Sequence, residues 1–348
     1  MFFKELKRGK GAAFLLVFLL VGCEQTEVVQ SVYRVDYRDS TMGTRFTIKI
    51  PQLPDNVESQ ALKHSIKLRL DELDSQFSTY KADSEISRIN AQNSGDWISV
   101  TPSFGKVMTE ALRINKLSQG AFDPTIGPLV NLWGFGPDPS MTEVPDGETI
   151  KNLLLVTGTE NILWDSERLR VKKLKENIFL DFSALAKGYA VDEVARLLEN
   201  QKINDFMVEI GGELRLKGVN STGDFWRIAV EKPTIDQRMI QQVLAVSDSG
   251  IASSGDYRNY FEKEGTRYSH TIDPRTGYSI KHTVVSVTVL HDSTMTADAF
   301  ATTFMVLGEE KGLELAKEQN LSVLFILKTD EGFVERSTSQ YQLIEQVH

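Results

Sequence analysis

The hydrophobic and polar positions of this chain follow helical spacing in some segments and strand spacing in others. Between Val57 and Phe77 the apolar residues recur every three or four positions, which predicts one long amphipathic helix. From Arg45 to Ile50 apolar and polar residues alternate, as they do in a half-buried strand. Ser84 and Ser103 each precede a shorter helical pattern, so both are predicted N-caps.

Strand patterns dominate the second half of the chain. A helix is predicted from about Thr296 to Leu307, with Gly308 as its natural end. Helices and strands come in blocks, which favours an α+β fold with mainly antiparallel sheets over a doubly wound parallel sheet. The predicted strands are Phe206 to Ile210, Glu213 to Val219, Trp226 to Val230, Val243 to Ser247 and Val284 to Leu290.

The N-terminus has the pattern of a bacterial lipoprotein leader. A basic stretch precedes the apolar segment Gly11 to Gly22, which is too short for a comfortable membrane span. Cys23 follows in a sequence that resembles a lipobox, so residues 1–22 are a predicted signal peptide and Cys23 a predicted lipidation site. Residues 23–36 are the expected lipidated start and tether, and residues 37–348 the expected domain. Acylation predicts anchoring to a bacterial membrane that faces the periplasm, and Glu24 favours the outer membrane.

Composition and charge narrow the function classes. The formal net charge is −9 and the sequence has no basic stripe, which argues against nucleic acid as the main partner. Cys23 is the only cysteine, so the mature domain has no internal disulfide. An acidic protein that binds an anion needs a local site for it, and we expect a metal ion to take part.

The segment Leu180 to Asp192 is the first candidate for such a site. Residues 177–182 have a strand-like pattern, and Ser183 is the predicted N-cap of the helix that follows. Lys187 then lies in the first helical turn, where its charge opposes the helix dipole unless an anion binds there. The alternative is a buried strand-to-helix turn with a solvent-exposed lysine.

Asp298 and Thr302 form a second candidate site. They are four residues apart, so both side chains face the same side of a predicted helix. A carboxylate and a hydroxyl are hard oxygen donors that suit Mg²⁺, which usually completes its shell with water and phosphate oxygens. The alternative is that the aspartate stabilises the helix N-terminus and the threonine bonds to its own helix.

Several loops are unusually rich in glycine, proline, hydroxyl and aromatic residues. Trp133 is expected to anchor one of them rather than to bind a ligand. Gly211 and Gly212 either form a hairpin turn or let the backbone approach a ligand, and the sequence leaves both open. The loops are Thr41 to Thr44, Gly120 to Phe135, Ser253 to Tyr260 and His270 to Gly277.

These segments together resemble the ApbE family of FAD:protein FMN transferases. They occur in the family's order and cover essentially the whole mature chain. The matching pieces are the lipobox at Cys23, Met42 to Thr44, Ala121 to Thr125, Asp181 to Tyr189, Glu209 to Glu213, Ser253 to Gly255, His270 to Gly277 and Asp298 to Thr302.

The resemblance implies roles for individual residues. The backbone carbonyl of Ala184, together with Asp298 and Thr302, matches the family's magnesium site. Lys187 matches a residue of the FAD site and is expected to hold the pyrophosphate during catalysis. The other positions that match the FAD site are Met42, Tyr80, Ala121, Phe122, Asp123, Asp181 and Ile272.

The resemblance also implies a fold and an activity. The fold is a pair of interleaved, T-fold-like α+β lobes with FAD in the cleft between them. The activity is Mg²⁺-dependent transfer of FMN from FAD onto a threonine or serine hydroxyl of another protein, with release of AMP. The expected targets are periplasm-facing subunits of Na⁺-translocating NADH:quinone reductase and of Rnf-type electron-transport complexes.

The sequence leaves open which group accepts the proton of the acceptor hydroxyl. By residue type His270 is the first candidate and Asp256 the second, although His270 can also serve only to stabilise its turn. Two other functions are also open: a metal-dependent FAD pyrophosphatase that gives FMN and AMP, and a non-catalytic flavin-binding lipoprotein. The aromatic side chain of Tyr80 favours transfer, because transfer to a protein hydroxyl requires a pocket that excludes water.

Overall fold

The computed structural model describes residues 33–93, 95–136, 144–234, 239–256, 260–263, 266–344 and 346–347. The predicted signal peptide, the lipidation site Cys23 and most of the predicted tether lie outside the described residues. Val32–His348 form one compact unit. Within the described ranges, no helix is long and apolar enough to cross a bilayer.

Strands and helices alternate in blocks along the chain. The strands are β1 Val35–Thr41, β2 Thr44–Ile50, β3 Trp97–Ser99, β4 Ile162–Asp165, β5 Arg170–Lys173, β6 Phe206–Ile210, β7 Glu213–Lys217, β8 Trp226–Lys232, β9 Met239–Val246, β10 Ser249–Gly255, β11 Tyr260–Lys263, β12 Thr266–Ser269, β13 Val284–His291, β14 Ser322–Thr329, β15 Gly332–Ser337 and β16 Gln346–Val347. The helices are α1 Ser59–Phe77, α2 Glu85–Ala91, α3 Pro102–Leu117, α4 Gly127–Leu132, α5 Gly147–Leu154, α6 Ala186–Asn200, α7 Thr294–Glu318 and α8 Ser339–Gln342.

An eight-stranded antiparallel sheet is the centre of the fold. Its strand order is β1-β2-β6-β7-β10-β13-β14-β15. One face packs against helices α1, α3, α6 and α7, and part of the other face packs against the three-stranded sheet β16-β9-β8. Strands β3, β5 and β4 form a further small sheet, and β11 and β12 a hairpin. The predicted α+β class with mainly antiparallel sheets is confirmed.

Strand β14 shows why part of this sheet escapes prediction from sequence. Val323 and Phe325 belong to the core on the helical side, whereas Leu324 and Ile326 belong to the core under the small sheet. A strand that is buried on both faces has a continuous apolar run instead of alternating residues. The periodicity that identifies β2 is therefore missing from β14, and its apolar run does not by itself distinguish a strand from a buried helix.

Several predicted elements are present with small changes in their ends. The long helix is α1, and Ser84 caps α2 by accepting a hydrogen bond from the N–H of Ser87 at 3.1 Å. Gly308 interrupts α7 with a φ of +76°, after which the helix resumes and continues to Glu318. Glycine is suited to this position, because a side chain disfavours the left-handed region.

Two predicted N-caps are wrong. Ser103 does not cap α3, because the helix begins at Pro102 and the hydroxyl of Thr101 accepts the hydrogen bond from the N–H of Phe104. Proline favours the first helical position, so the cap lies one residue before it. Ser183 does not cap α6, which begins at Ala186 without a side-chain cap.

The segment before α6 is not a strand, contrary to the prediction for residues 177–182. The side chain of Asn90 takes the place of a neighbouring strand, since its Nδ2 donates to the carbonyl of Leu180 at 2.9 Å and its Oδ1 accepts from the N–H of Leu180 at 2.7 Å. At the other end of the domain, Val35 and Asp36 belong to β1 and not to the predicted tether.

Candidate active site at the junction of two helices

Lys187 lies in the first turn of α6, as predicted, but it is not a solvent-exposed lysine. Its Nζ lies 3.2 Å from Oε1 of Glu213 and 3.6 Å from Oδ2 of Asp298. The side chain of Lys187 is 27% exposed, and those of Glu213 and Asp298 are 6% and 4% exposed. The start of α6, the start of β7 and the N-terminal part of α7 therefore meet at one ion-paired group.

Gly188 allows α6 and α7 to approach each other at this point. A Cβ atom at Gly188 would lie 2.5 Å from the carbonyl oxygen of Thr294, closer than a carbon and an oxygen can pack. The N–H of Gly188 donates to Oδ2 of Asp298 at 3.0 Å. The carboxylate of Asp298 is thus held at the N-terminus of α6, where unpaired backbone N–H groups favour a negative charge.

Asp192 joins the same two helices one turn further along α6. Its carboxylate accepts hydrogen bonds from the N–H groups of Thr294 and Met295 at 2.9 and 3.1 Å and from the hydroxyl of Ser293 at 2.8 Å. These bonds satisfy donors that the first turn of α7 leaves without helical partners. Asp192 therefore fixes the position of α7, and with it the position of Asp298.

The group formed by Lys187, Glu213 and Asp298 has two carboxylates and one cation. Burial raises the pKa of Glu213 to about 8, an effect that Lys187 opposes and Asp298 increases. Burial also raises the pKa of Asp298, although Lys187 and the N–H of Gly188 act against it. Burial alone lowers the pKa of Lys187, but Asp298 and Glu213 outweigh it and raise that pKa. Lys187 stays protonated, and a second cation would favour the ionised form of both carboxylates.

The residues around Asp298 fit the predicted magnesium site. Ala184, Asp298 and Thr302 line one cavity, and Oγ1 of Thr302 lies 3.3 Å from Oγ of Ser254. Among the described residues, Oε2 of Glu213 is buried and has no hydrogen-bond partner. Hard oxygen donors and a buried carboxylate oxygen without a hydrogen-bond partner are features that suit Mg²⁺.

A metal ion at this place would need ligands other than acidic side chains. Within the described part of the chain, no group of three or more His, Cys, Asp or Glu residues converges as a metal site. Asp298, the hydroxyl of Thr302 and the carbonyl of Ala184 would supply three oxygens. Mg²⁺ commonly takes the rest of its shell from water and substrate phosphate.

The cavity beside this group has a volume of about 540 Å³. This volume lies in the range of cofactor-sized ligand sites. Met42, which is predicted for the FAD site, does not line this cavity, because it occupies the β1–β2 turn and lines a neighbouring groove. The predicted residues that line the cavity are Tyr80, Ala121, Phe122, Asp123, Asp181, Ala184, Lys187, His270, Ile272, Asp298 and Thr302.

Asp123 and Asp181 are held by the turns in which they lie. Oδ1 of Asp123 accepts from the N–H and the hydroxyl of Thr125 at 2.8 and 2.6 Å. Oδ1 of Asp181 accepts in the same way from Ser183 at 2.8 and 2.5 Å. Burial raises the pKa of Asp123, against the hydrogen bonds from Thr125. Both carboxylates are therefore fixed in orientation before any ligand enters.

The aromatic side chains of the cavity differ in exposure. Phe122 is 4% exposed, whereas Tyr80 is 73% exposed at the rim. Trp133 is buried and its Nε1 donates to the carbonyl of Gly277 at 2.8 Å, which joins the two loops that carry Phe122 and His270. The prediction that Trp133 is a loop anchor is confirmed.

His270 and Asp256, the two candidate bases, face different cavities. His270 lines the 540 Å³ cavity, and its ring lies 6.1 Å from that of Phe135 at an angle of 73°. Asp256 lines a separate cavity with Arg267 and His282, and Oδ1 of Asp256 lies 3.6 Å from Nη2 of Arg267. The geometry therefore favours His270 over Asp256 as a group that meets the substrate.

Glu213 and Ser254 belong to the site but are absent from the predicted site residues. Glu213 follows the turn formed by Gly211 and Gly212, whose φ angles are +64° and +107°. Both residues lie in segments that carry the family resemblance. The sequence contains one signal that identifies Glu213. Its position in the strand faces inward, and a buried glutamate needs a cation as its partner.

Comparisons with known proteins identify the family. The sequence model of the ApbE family matches residues 42–325. The chain belongs to the ApbE family. An FAD:protein FMN transferase of Vibrio cholerae is 46% identical over 330 residues, which cover 95% of this chain and 97% of that protein. The corresponding Escherichia coli K12 protein is 36% identical over 344 residues, with 97% of each chain covered.

Solved ApbE structures have the same fold. The structure of the flavin transferase ApbE from Vibrio cholerae has a TM-score of 0.83 and 45% identity, and the match covers 89% of this chain and 99% of that one. The ApbE protein of Thermotoga maritima has a TM-score of 0.80 and 29% identity, with 90% and 99% coverage. The expectations of an ApbE flavin transferase and of its mixed α and antiparallel β fold are confirmed.

Proposed function

We propose that this protein uses Mg²⁺ to transfer FMN from FAD onto a threonine or serine hydroxyl of another protein, with release of AMP. The observation that carries this proposal is the buried group of Lys187, Glu213 and Asp298 at the N-terminus of α6, inside a cavity of cofactor size. Its relatives in Vibrio cholerae and Escherichia coli are FAD:protein FMN transferases, which supports the choice of substrate.

The proposed reaction transfers the phosphoryl group of FMN from the pyrophosphate of FAD to the acceptor hydroxyl. The acceptor hydroxyl oxygen forms a bond to the phosphorus of the FMN half of FAD. The bond from that phosphorus to the bridging pyrophosphate oxygen breaks, and the bridging oxygen leaves with AMP. The hydroxyl proton passes to a base, and FMN stays on the target through a phosphoester. Such reactions depend mainly on positioning and on stabilisation of charge.

Lys187 and the start of α6 bind the pyrophosphate in this proposal. The protonated Nζ of Lys187 and the backbone N–H groups of the first turn both favour phosphate oxygens. Asp298, Thr302 and the carbonyl of Ala184 would hold Mg²⁺, which when bound neutralises charge on the departing phosphate. The hydrogen bond from Gly188 keeps Asp298 in place for this task.

The remaining cavity residues orient FAD and take the proton. Asp123 and Asp181 are fixed acceptors for N–H or hydroxyl groups of the flavin, ribose or adenine. Phe122 and Tyr80 offer faces or edges to flat rings. His270 accepts the proton of the acceptor hydroxyl, since it lines the cavity and imidazole is the usual base near neutral pH.

The acceptors and the location follow from the sequence resemblance alone. The proposed acceptors are periplasm-facing subunits of Na⁺-translocating NADH:quinone reductase or of Rnf-type complexes. The proposed location is the periplasmic side of a bacterial membrane, through a lipid on Cys23.

Incubation of the protein with FAD, Mg²⁺ and an acceptor domain from such a subunit tests the function. We expect covalent flavin fluorescence on the acceptor after denaturation, together with AMP in equal amount. Free FMN and AMP without labelled acceptor would support the pyrophosphatase instead. Bound FAD that stays intact in the presence of Mg²⁺ and acceptor would support a non-catalytic flavin-binding protein.

A further inference from the structure

A second, larger depression adjoins the cavity. It has a volume of about 1300 Å³ and lies between the edge of the small sheet and the uncovered face of the large sheet. We call it the β8 groove, because all residues from Arg227 to Glu231 of β8 line it. Met42 lies in its wall as well.

The β8 groove runs along the edge of β8 and not along either of its faces. Successive side chains of a strand point to opposite faces, so a groove over one face would contact only every second residue. Arg227 and Ala229 are exposed, whereas Val230 is buried in the core under the small sheet. In the part of the chain that the structure describes, β8 pairs with β9 on one side and is the edge strand of its sheet.

The β8 groove continues into the cavity. Gly211 and Ser253 line both. A Cβ atom at Gly211 would lie 2.8 Å from Cγ2 of Thr44 and 3.4 Å from Cδ of Lys187, so this glycine packs between the wall of the groove and that lysine. Ser253 precedes Ser254, whose hydroxyl lies 3.3 Å from that of Thr302. The groove therefore ends beside the residues that would bind the pyrophosphate and the metal.

The walls of the groove suit a polypeptide better than a flat cofactor. Exposed charged residues of both signs, among them Arg45, Asp71 and Arg227, alternate with hydroxyl groups such as those of Thr47 and Thr288. Five strand residues span about 16 Å at the usual rise of 3.3 Å per residue, which is enough for an extended segment of five residues. An edge strand offers unpaired backbone groups to such a segment.

We propose that the acceptor protein binds as an extended strand against the edge of β8, so that its hydroxyl residue reaches Lys187 past Gly211. This inference rests on the proposed function and identifies where its second substrate binds. Backbone hydrogen bonds to β8 provide affinity, and the open space at Gly212, where a Cβ atom would meet no atom within 4 Å, provides room for the acceptor side chain.

Amide hydrogen exchange of the mature protein, with and without a saturating acceptor domain from a flavin-carrying subunit, tests the binding mode. We expect exchange in β8 to slow by about tenfold or more, since strand addition protects edge amides. Strand β15 is the matched control, because it is an edge strand of the large sheet and lies far from the groove in strand order. Equal protection of β8 and β15, or none in β8, would overturn the proposal.

Kinetics of transfer give an independent test. Ala229→Pro removes a backbone N–H from β8 and adds a ring to a residue that lines the groove, so we expect KM for the acceptor domain to rise about tenfold or more while KM for FAD stays within about twofold. The control Val334→Pro places the same ring on β15 and should leave both values unchanged. An unchanged KM for the acceptor in a folded Ala229→Pro would contradict the proposal.

The two proposals fail in different ways. If the wild-type protein attaches no flavin to any acceptor, the transferase function is wrong. If the wild-type protein attaches flavin but β8 is not protected, the function stands and the docking site is wrong.

Discussion

The N–H of Gly188 donates to Oδ2 of Asp298 at 3.0 Å, and this bond joins the two halves of the candidate site. Gly188 belongs to α6, which carries Lys187, and Asp298 belongs to α7, which carries Thr302. Lys187 and the carboxylate of Asp298 are thus positioned by one close contact between helices.

Replacement of Gly188 by alanine should separate these helices. The new Cβ would lie 2.5 Å from the carbonyl oxygen of Thr294, so we expect a loss of about 2–3 kcal/mol in the free energy of unfolding, although alanine has the higher helix propensity. Urea unfolding measures this change. Gly147→Ala is the control, because its nearest contact is the hydroxyl of the exposed side chain of Tyr278. A stabilised Gly188→Ala protein would show that the contact is not restrictive.

Removal of the charge of Lys187 should reduce transfer strongly. Lys187→Met leaves Glu213 and Asp298 without their cation and removes a charge that stabilises the phosphates, so we expect kcat/KM for FAD to fall about 100-fold or more. Lys217→Met is the matched control, because Lys217 forms an ion pair with Glu199 at 2.8 Å outside the cavity. Wild-type kinetics in Lys187→Met would refute the role of this lysine.

Conversion of Asp298 to asparagine should weaken the binding of Mg²⁺. The amide keeps the size of the side chain but removes the charge, so the Mg²⁺ concentration for half-maximal transfer should rise about tenfold or more. Asp146→Asn serves as the control. It weakens the cap of α5 outside the cavity, so the Mg²⁺ requirement should change far less. Equal shifts in both variants would mean that Asp298 acts only on the fold.

The proton acceptor can be identified by a pair of variants. His270→Gln should lower kcat by about 100-fold and flatten the decline of kcat toward acidic pH, because glutamine cannot take up the hydroxyl proton. Asp256→Asn should keep the decline of kcat toward acidic pH, with a shifted midpoint, because Asp256 lines a different cavity but its charge interacts with His270. The opposite pattern would make Asp256 the base.

The ionised carboxylate of Glu110 should stabilise the folded protein at neutral pH and lose this effect at acidic pH. Burial raises the pKa of Glu110, but the hydrogen bonds from Arg113 and Thr296 together outweigh it, so the net pKa lies below the usual value of 4.5. A carboxyl with a lowered pKa contributes its full stabilisation above pH 4.5. This stabilisation is lost as the pH falls through the pKa of Glu110 in the folded protein.

Stability measurements on Glu110→Gln check this sign. We expect a loss of about 1–2 kcal/mol at pH 7 and a smaller difference from the wild type below pH 4. Glu331→Gln, at an exposed turn, should match the wild type at both pH values. A difference for Glu110→Gln that grows toward acidic pH would contradict the assignment.

Local signals in the sequence were sufficient for some elements that have one buried face. The alternation in β2 and the helical spacing of α1 each report a single buried side, and both elements are present. Strand β14 is buried on both sides and lacks that signal. Residues 177–182 have the buried pattern of a strand, but the side chain of Asn90, distant in sequence, takes the hydrogen bonds that a neighbouring strand would take.

The sequence by itself determined the family and the α+β class, and it predicted that Lys187, Asp298 and Thr302 belong to one site, where they line one cavity. Each motif is a short segment of chain, so it can be recognised in the sequence without knowledge of the fold. Only the tertiary structure decided that Lys187 is paired with Glu213, that His270 and Asp256 face different cavities, and that the edge of β8 leads to the site. These relationships join residues far apart in the chain, and burial and distance between them arise only when the sheet and helices pack.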